Sequence, residues 1–363
     1  MEDLHVFKPL TVRSHAGDYQ VHFENAVSFD DFDHELINTS HFILDGRIAK
    51  LYSDKLHKIL EHPSVLIISA TEKNKSLEQF PLYVEKLVKN KVRRNHRLIA
   101  IGGGIIQDIT CFLAATLLRG IDWWFYPTTL LAQADSCIGS KSSVNCGDAK
   151  NILGTFTPPK KISIFTDFLS TLDPIDIQSG VGEMLKVHAI EGASSFDQIA
   201  NDYEKIFSDQ KILLHYLRRS LEIKKNIIEK DEFDQGIRNV MNYGHTFGHA
   251  IESATQYTIP HGVAVTIGMD MANFIAATEV FGDKSHFNRM HSVLKKNYKQ
   301  FIDYPILIQP FIQAISKDKK NVGKDEITAI FPDKNAKIIK SPIKNDLLFQ
   351  KKCGEYFDTG RLL

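Results

Sequence analysis

Short apolar runs alternate with longer amphipathic stretches through the first half of the chain. His41–Leu44, Val65–Ala70, Leu98–Ile101, Trp123–Tyr126 and Ile162–Phe165 are such runs, and most stop at a turn-forming or polar residue. Their length and composition read as buried strands. Leu77–Lys91 and Ile106–Leu118, which lie between them, read as helices. Strands alternating with helices imply βαβ units of a parallel sheet. Ligands of such sheets bind outside the carboxyl ends of the strands. Asp45, Gly102-Gly103-Gly104 and Thr128-Thr129 all fall at ends of that kind.

The pattern changes near Asp173. Ile175–Glu191, Ser195–Phe207, Gln210–Lys230, His245–Ala254 and Gly262–Phe281 read as helices. Ile327–Phe331 and Ala336–Ile339 read as a small hairpin across Pro332-Asp333-Lys334. The expected architecture is an α/β domain with a Rossmann-like parallel sheet over residues 1–170, then a mostly α-helical domain over 171–363. With no internal repeat or low-complexity linker in the sequence, the join is expected to be a packed seam. The 363 residues suit two domains of roughly 150 residues each.

Composition narrows the partners. The 44 basic and 44 acidic residues cancel, so no overall field draws the chain to nucleic acid or an acidic membrane, and any anion site must be local. None of the cysteines (Cys111, Cys137, Cys146, Cys353) forms a CxxC pair. A thiolate zinc site is therefore not expected, and reduced thiols in a cytoplasmic protein are. MEDLHVFKPL lacks the apolar core of a signal peptide. No apolar run reaches the roughly 18 residues of a membrane span.

Candidate chemistry is densest between Met241 and Met269. His245 and His249 are spaced to share one helix face, and His261 follows Pro260 at a helix start. Three convergent imidazoles suit a metal or phosphate site; two core histidines and a cap are the plainer reading. Glu183 and Lys186, in VGEMLKVHAI, stand on an apolar helix where a carboxylate needs a partner. That partner can be Lys186 or a metal. Glu183 with two of the three histidines makes a set that leaves open positions on zinc; spacing does not select the two. HExxH is absent, so zinc-protease chemistry is not indicated.

Glycines 102–104 allow backbone N–H groups to approach a phosphate at a helix start. Gln107 keeps the turn from being GxGxxG, and a turn without ligand explains it equally well. Asp108 in the first turn fits a helix-dipole partner as well as a ligand contact. Glu72 and Lys75 read as a solvated turn. Arg119, Asp135, Lys141, Lys150 and Asn151 are polar residues in small or apolar surroundings, able to hold a phosphate and a carboxylate. Lys224, Arg238, Asn242, Lys319 and Lys320 read, one by one, as surface residues.

In order and spacing, GGGIIQD, LLRG, PTTLLAQADS, GSKSSVN, KNILGTF, GVGEMLK, IRNVMNYGHTFGHAIE and HGVAVTIGM closely resemble the 3-dehydroquinate synthase family of sugar phosphate cyclases. The resemblance runs from about Asp45 to Lys320, and HTFGHA with the later HG is its most specific part. It implies an NAD-binding α/β domain and a helical metal and substrate domain. Glu183, His245 and His261 would hold one divalent ion, zinc or cobalt. Asp45, Glu72, Lys75, Gly103, Gly104, Asp108, Thr128, Thr129 and Lys150 would contact NAD. Asp135, Lys141, Asn151, Lys186, Lys224, Arg238, Asn242 and Lys319 or Lys320 would contact substrate. His249 would meet its phosphate and take part in proton transfer. Arg119 would reach a neighbouring subunit's site, implying a homodimer.

The implied reaction is that of a carbon–oxygen lyase acting on phosphate, on the shikimate route to aromatic amino acids. A substrate hydroxyl is oxidised, phosphate is eliminated, the ketone is reduced again, and an intramolecular aldol step closes the carbocycle. Departures from the family pattern are Gln107 and Ala149 for glycines and Ser140, Ser142 and Ser143 around Lys141. They bear on substrate identity more than on reaction class. Lys141, Asn151, Arg238, Asn242 and His249 together favour a dehydroquinate-type product. A cyclase of sedoheptulose 7-phosphate and a metal-dependent polyol dehydrogenase are the alternatives.

Overall fold

A computed structural model describes residues 8–24, 27, 29, 32–280, 284–317 and 326–363. The chain divides into two compact units: Met1–Asp173 with Lys224–Phe233, and Pro174–Ile223 with Asp234–Leu363.

The first unit is built on a sheet of β1 (Leu10–Val12), β2 (Tyr19–Glu24), β3 (Ser40–Asp45), β4 (Val65–Ile68), β5 (Arg97–Gly102), β6 (Asp122–Pro127) and β9 (Lys161–Phe165). Its order is β1-β2-β9-β6-β5-β3-β4. Every pairing is parallel except β1 with β2. The five apolar runs therefore all form strands. Leu98, Ile99, Ala100 and Ile101 in β5, and Phe42, Ile43 and Leu44 in β3, are all 0% exposed, as expected of central strands covered on both faces. The expected Val65–Ala70 strand ends at Ile68, whose partner Asp45 is the last residue of β3. There Asp45 leaves the ladder to cap the next helix, accepting the Arg47 N–H. From β3 the strand order runs one way to β4 and the other way to β5, β6 and β9. Asp45 and Gly102 thus end the two strands that flank the reversal, where such sheets bind ligands. A separate hairpin, β7 (Val144–Cys146) with β8 (Ala149–Leu153), was not expected from the pattern.

The second unit centres on the His261–Ile275 helix, which is buried from Gly262 to Asn273. An apolar surface all round is what a central helix requires. The Pro174–Glu191, His245–Ala254 and Ser285–Asn297 helices pack on it. The expected Ser195–Phe207 helix is two, Ala193–Asn201 and Tyr203–Ile206, broken at Asp202, whose carboxylate accepts the Tyr216 hydroxyl at 2.8 Å. The expected Gly262–Phe281 helix widens into a π-helical turn over Ala276–Val280, and Phe281 lies outside the described residues. The hairpin pairs Glu326–Pro332 (β10) with Ile338–Lys344 (β11). Its second strand starts later than expected because Asp333 closes a turn through Lys337, with Ala336 at φ 62°.

All four cysteines are free. Among the described residues no helix is long and apolar enough to cross a membrane.

Candidate functional site

The helical unit gathers the histidines through backbone contacts at glycines. A β-carbon on Gly182 would lie 2.3 Å from the Gly262 carbonyl oxygen, and one on Gly262 would lie 1.9 Å from that of Ser179. A β-carbon on Gly268 would lie 2.1 Å from the Gly244 carbonyl oxygen. Three helices therefore touch where side chains are missing, and Glu183, His245 and His261, each next to one of these glycines, are carried to one place. Gly262→Ala should cost about 3 kcal/mol or more, the upper range for overpacking, because backbone rather than a flexible side chain must move. Denaturant unfolding checks this; a loss under about 0.5 kcal/mol would mean that the helices do not cross this closely.

Glu183 is 2% exposed. Its Oε2 takes the Lys186 ammonium at 2.5 Å. Its Oε1 faces the Nε2 atoms of His261 at 3.4 Å and His245 at 3.7 Å. The ion-pair and metal readings of Glu183 are thus compatible, one on each oxygen. Both rings are fixed from behind: His261 Nδ1 by Glu252 at 3.1 Å, His245 Nδ1 by the Tyr243 carbonyl at 3.2 Å. His245, His249 and His261 each offer an atom within 4.8 Å of the others, and the exposed His249 stacks on His261. Desolvation opposes charge on His261, yet Glu183 and Glu252 outweigh it and push its pKa up to about 10. The two carboxylates facing this ring make the pocket one that favours positive charge. Two Nε2 atoms and one carboxylate oxygen, with partners behind both rings, fit a divalent ion with open positions. Glu252 escaped the sequence reading, although its place two turns after His245 on the same face was a usable signal.

The α/β unit holds a second cluster. Gly103 precedes the Gly104–Thr116 helix and has no side chain to cap it, so the first N–H groups stay available to an anion. A β-carbon on Gly103 would lie 3.0 Å from Thr129. Thr129 caps the next turn through the Ala132 N–H, and Thr128 is buried. Lys75 is 5% exposed, so the solvated-turn reading fails for it, while Glu72 does stand exposed on a turn. Its ammonium reaches Asp108 at 3.2 Å, Asn151 at 2.9 Å and Glu72 at 3.5 Å. Burial raises the Asp108 pKa, opposed by Lys75 and by the Ser143 N–H and hydroxyl. The cluster thus joins Glu72, Lys75 and Asp108, expected at NAD, with Asn151, expected at substrate. Lys150 is exposed on β8.

Asp135 sits in a π-helical turn, Ala132–Ser136, and pairs with Lys224 at 2.6 Å. Lys224 and Arg238 are each 7% exposed, which overturns their reading as surface charges. Arg238 and Asn242 share the Ile237–Asn242 turn. Lys141 is exposed, as is Arg119, which lies at φ 68° between Leu118 at 51° and Gly120 at 118°. Lys319 and Lys320 lie outside the described residues. Gln107 exchanges two 2.6 Å hydrogen bonds with Ser136, and Ser142 bonds Thr155. Ser140 is buried, its carbonyl accepting the Thr157 N–H, and Ala149 is exposed on β8.

Comparison with known proteins matches residues 65–179 to the 3-dehydroquinate synthase N-terminal model and residues 180–321 to the 3-dehydroquinate synthase C-terminal model. The 3-dehydroquinate synthase of Thermoanaerobacter pseudethanolicus is 34% identical over 358 residues, covering 91% of this chain and 99% of that protein. The fold is shared with 2-deoxy-scyllo-inosose synthase, solved with carbaglucose-6-phosphate, NAD+ and Co2+ (TM-score 0.79, 20% identity, 96% of this chain and 99% of that one). It is shared equally with 2-epi-5-epi-valiolone synthase from Streptomyces hygroscopicus, solved with NAD+ and Zn2+ (TM-score 0.79, 22% identity, 98% of each chain). Both halves match in order, and a relative aligns along nine-tenths of the sequence: the chain belongs to the 3-dehydroquinate synthase family.

Proposed function

We propose that this protein converts 3-deoxy-D-arabino-heptulosonate 7-phosphate to 3-dehydroquinate and phosphate as a cytoplasmic homodimer, using NAD without net consumption and one zinc or cobalt ion. The observation that carries the proposal is Glu183, whose two oxygens divide between Lys186 and the Nε2 atoms of His245 and His261, in a chain of this family.

In this reading residues 1–170 form the NAD domain and 171–363 the metal and substrate domain. When bound, NAD supplies reversible hydride transfer and the metal supplies Lewis acidity toward substrate oxygens. Glu183, His245 and His261 hold the metal, and Lys186 fixes the Glu183 carboxylate and meets substrate. Asp45, Glu72, Lys75, Gly103, Gly104, Asp108, Thr128, Thr129 and Lys150 bind the dinucleotide. Arg238 and Asn242 hold the substrate carboxylate, which distinguishes this substrate from sugar phosphates that lack one. Lys141, Asn151 and Lys319 or Lys320 bind anionic and hydroxyl groups. Asp135 and Lys224 orient the substrate hydroxyls. His249, exposed beside the other two rings, contacts the phosphate and moves a proton at a ring nitrogen. Arg119 serves the site of the second protomer.

The test is phosphate release from 3-deoxy-D-arabino-heptulosonate 7-phosphate with NAD and zinc or cobalt present, followed together with NADH absorbance. Phosphate release without net NADH is expected. Release from sedoheptulose 7-phosphate alone would overturn the substrate and keep the chemistry. Net NADH from a simple polyol would make the protein a dehydrogenase.

A further inference from the structure

We infer that Asn145 is a positioning residue that grips the cofactor carboxylate Glu72 and the substrate residue Asn151 with one amide, and so couples NAD binding to sugar phosphate binding. The inference rests on the proposed roles of Glu72 and Asn151. Asn145 lies on β7 and is 5% exposed. Its Nδ2 donates to Glu72 twice, at 2.8 Å to Oε2 and 3.1 Å to the carbonyl. Its Oδ1 accepts the Asn151 N–H at 2.8 Å. Its own N–H donates to the Lys75 carbonyl at 2.9 Å. Both amide protons and the amide oxygen are thus engaged on residues assigned to ligands.

The two gripped residues need holding. The Glu72 side chain is 46% exposed, and its other oxygen reaches Lys75 only at 3.5 Å. Asn151 has φ 51°, a left-handed conformation that asparagine tolerates better than most side-chain-bearing residues and that its surroundings hold here. Asn145 supplies the backbone half of that fixation and Lys75 the side-chain half. A planar amide cannot move its oxygen without moving its nitrogen. A ligand that draws Glu72 into place therefore presets Asn151, and the effect is reciprocal.

The experiment uses the zinc-loaded full chain carrying Asn145→Asp or Asn145→Ala. Aspartate keeps the size and the acceptor for Asn151 but sets a carboxylate against Glu72. We measure the NAD dissociation constant by calorimetry, the KM for sugar phosphate, kcat, and the melting temperature. The NAD constant and the sugar phosphate KM should rise together, about 5- to 10-fold, the range of modest coupling energies, with kcat within about threefold. Either constant staying within about twofold of the unaltered protein overturns the coupling. So does a fall in melting temperature with both constants unchanged, the signature of a packing role alone. Should alanine prevent folding, the isosteric aspartate still decides. Absence of turnover by the unaltered protein would count against the proposed function, while the NAD comparison would remain readable.

Discussion

Glu183→Gln should lower phosphate release by about three orders of magnitude and abolish tight binding of the divalent ion. Glutamine preserves shape, so the helices that meet at Gly182 and Gly262 need not move. What it removes is charge. Glu183 Oε1 faces both the His245 and His261 Nε2 atoms, at 3.7 and 3.4 Å, and a neutral amide oxygen is a far weaker ligand for a divalent cation. It also strands Lys186, whose ammonium lies 2.5 Å from Oε2, as a buried charge without its counter-ion. Lewis-acid stabilisation is worth several kcal/mol, and each 1.36 kcal/mol is tenfold in rate, which sets the expected factor. Metal content after gel filtration and the phosphate assay read the two effects separately. Retention of one tightly bound zinc per chain would move the metal away from these residues.

The sequence disclosed the glutamate and histidine cluster better than its surroundings. His245 and His249 follow the helical repeat, and Glu183 is conspicuous because it stands among apolar neighbours. Lys75, Lys224 and Arg238 misled for the opposite reason. Lys75 lies in TEKNKS, where every neighbour argues for solvent, and Lys224 stands among Glu222, Lys225 and Asn226, although Leu221, Ile227 and Ile228 share its helix face. Their burial comes from distant segments: Asp108 and Asn151 for Lys75, Asp135 for Lys224. No local window contains those partners. The β7–β8 hairpin was missed likewise, since strands this short carry no clear period, and it buries Asn145 against Glu72. The sheet was legible because central parallel strands are apolar on both faces. β2 was not, because YQVHFE mixes polar and apolar positions.

Lys224→Met should destabilise the protein by about 3–5 kcal/mol, the usual consequence of leaving one member of a buried ion pair alone. Lys224 and Asp135 are 9% and 12% exposed at the side chain and 2.6 Å apart, and the same ammonium donates to the Asp135 carbonyl. Asp135→Leu with Lys224→Met removes both charges at once and should recover most of the stability, since apolar pairs of similar volume often match buried ion pairs. Activity should not return with it. If the pair orients substrate hydroxyls, the double variant folds and stays inactive, with NAD affinity intact. Unfolding curves for the two single variants and the double variant give the coupling energy, and the phosphate assay gives the function. A double variant that regains both stability and turnover would make the pair structural and withdraw Asp135 and Lys224 from the substrate site.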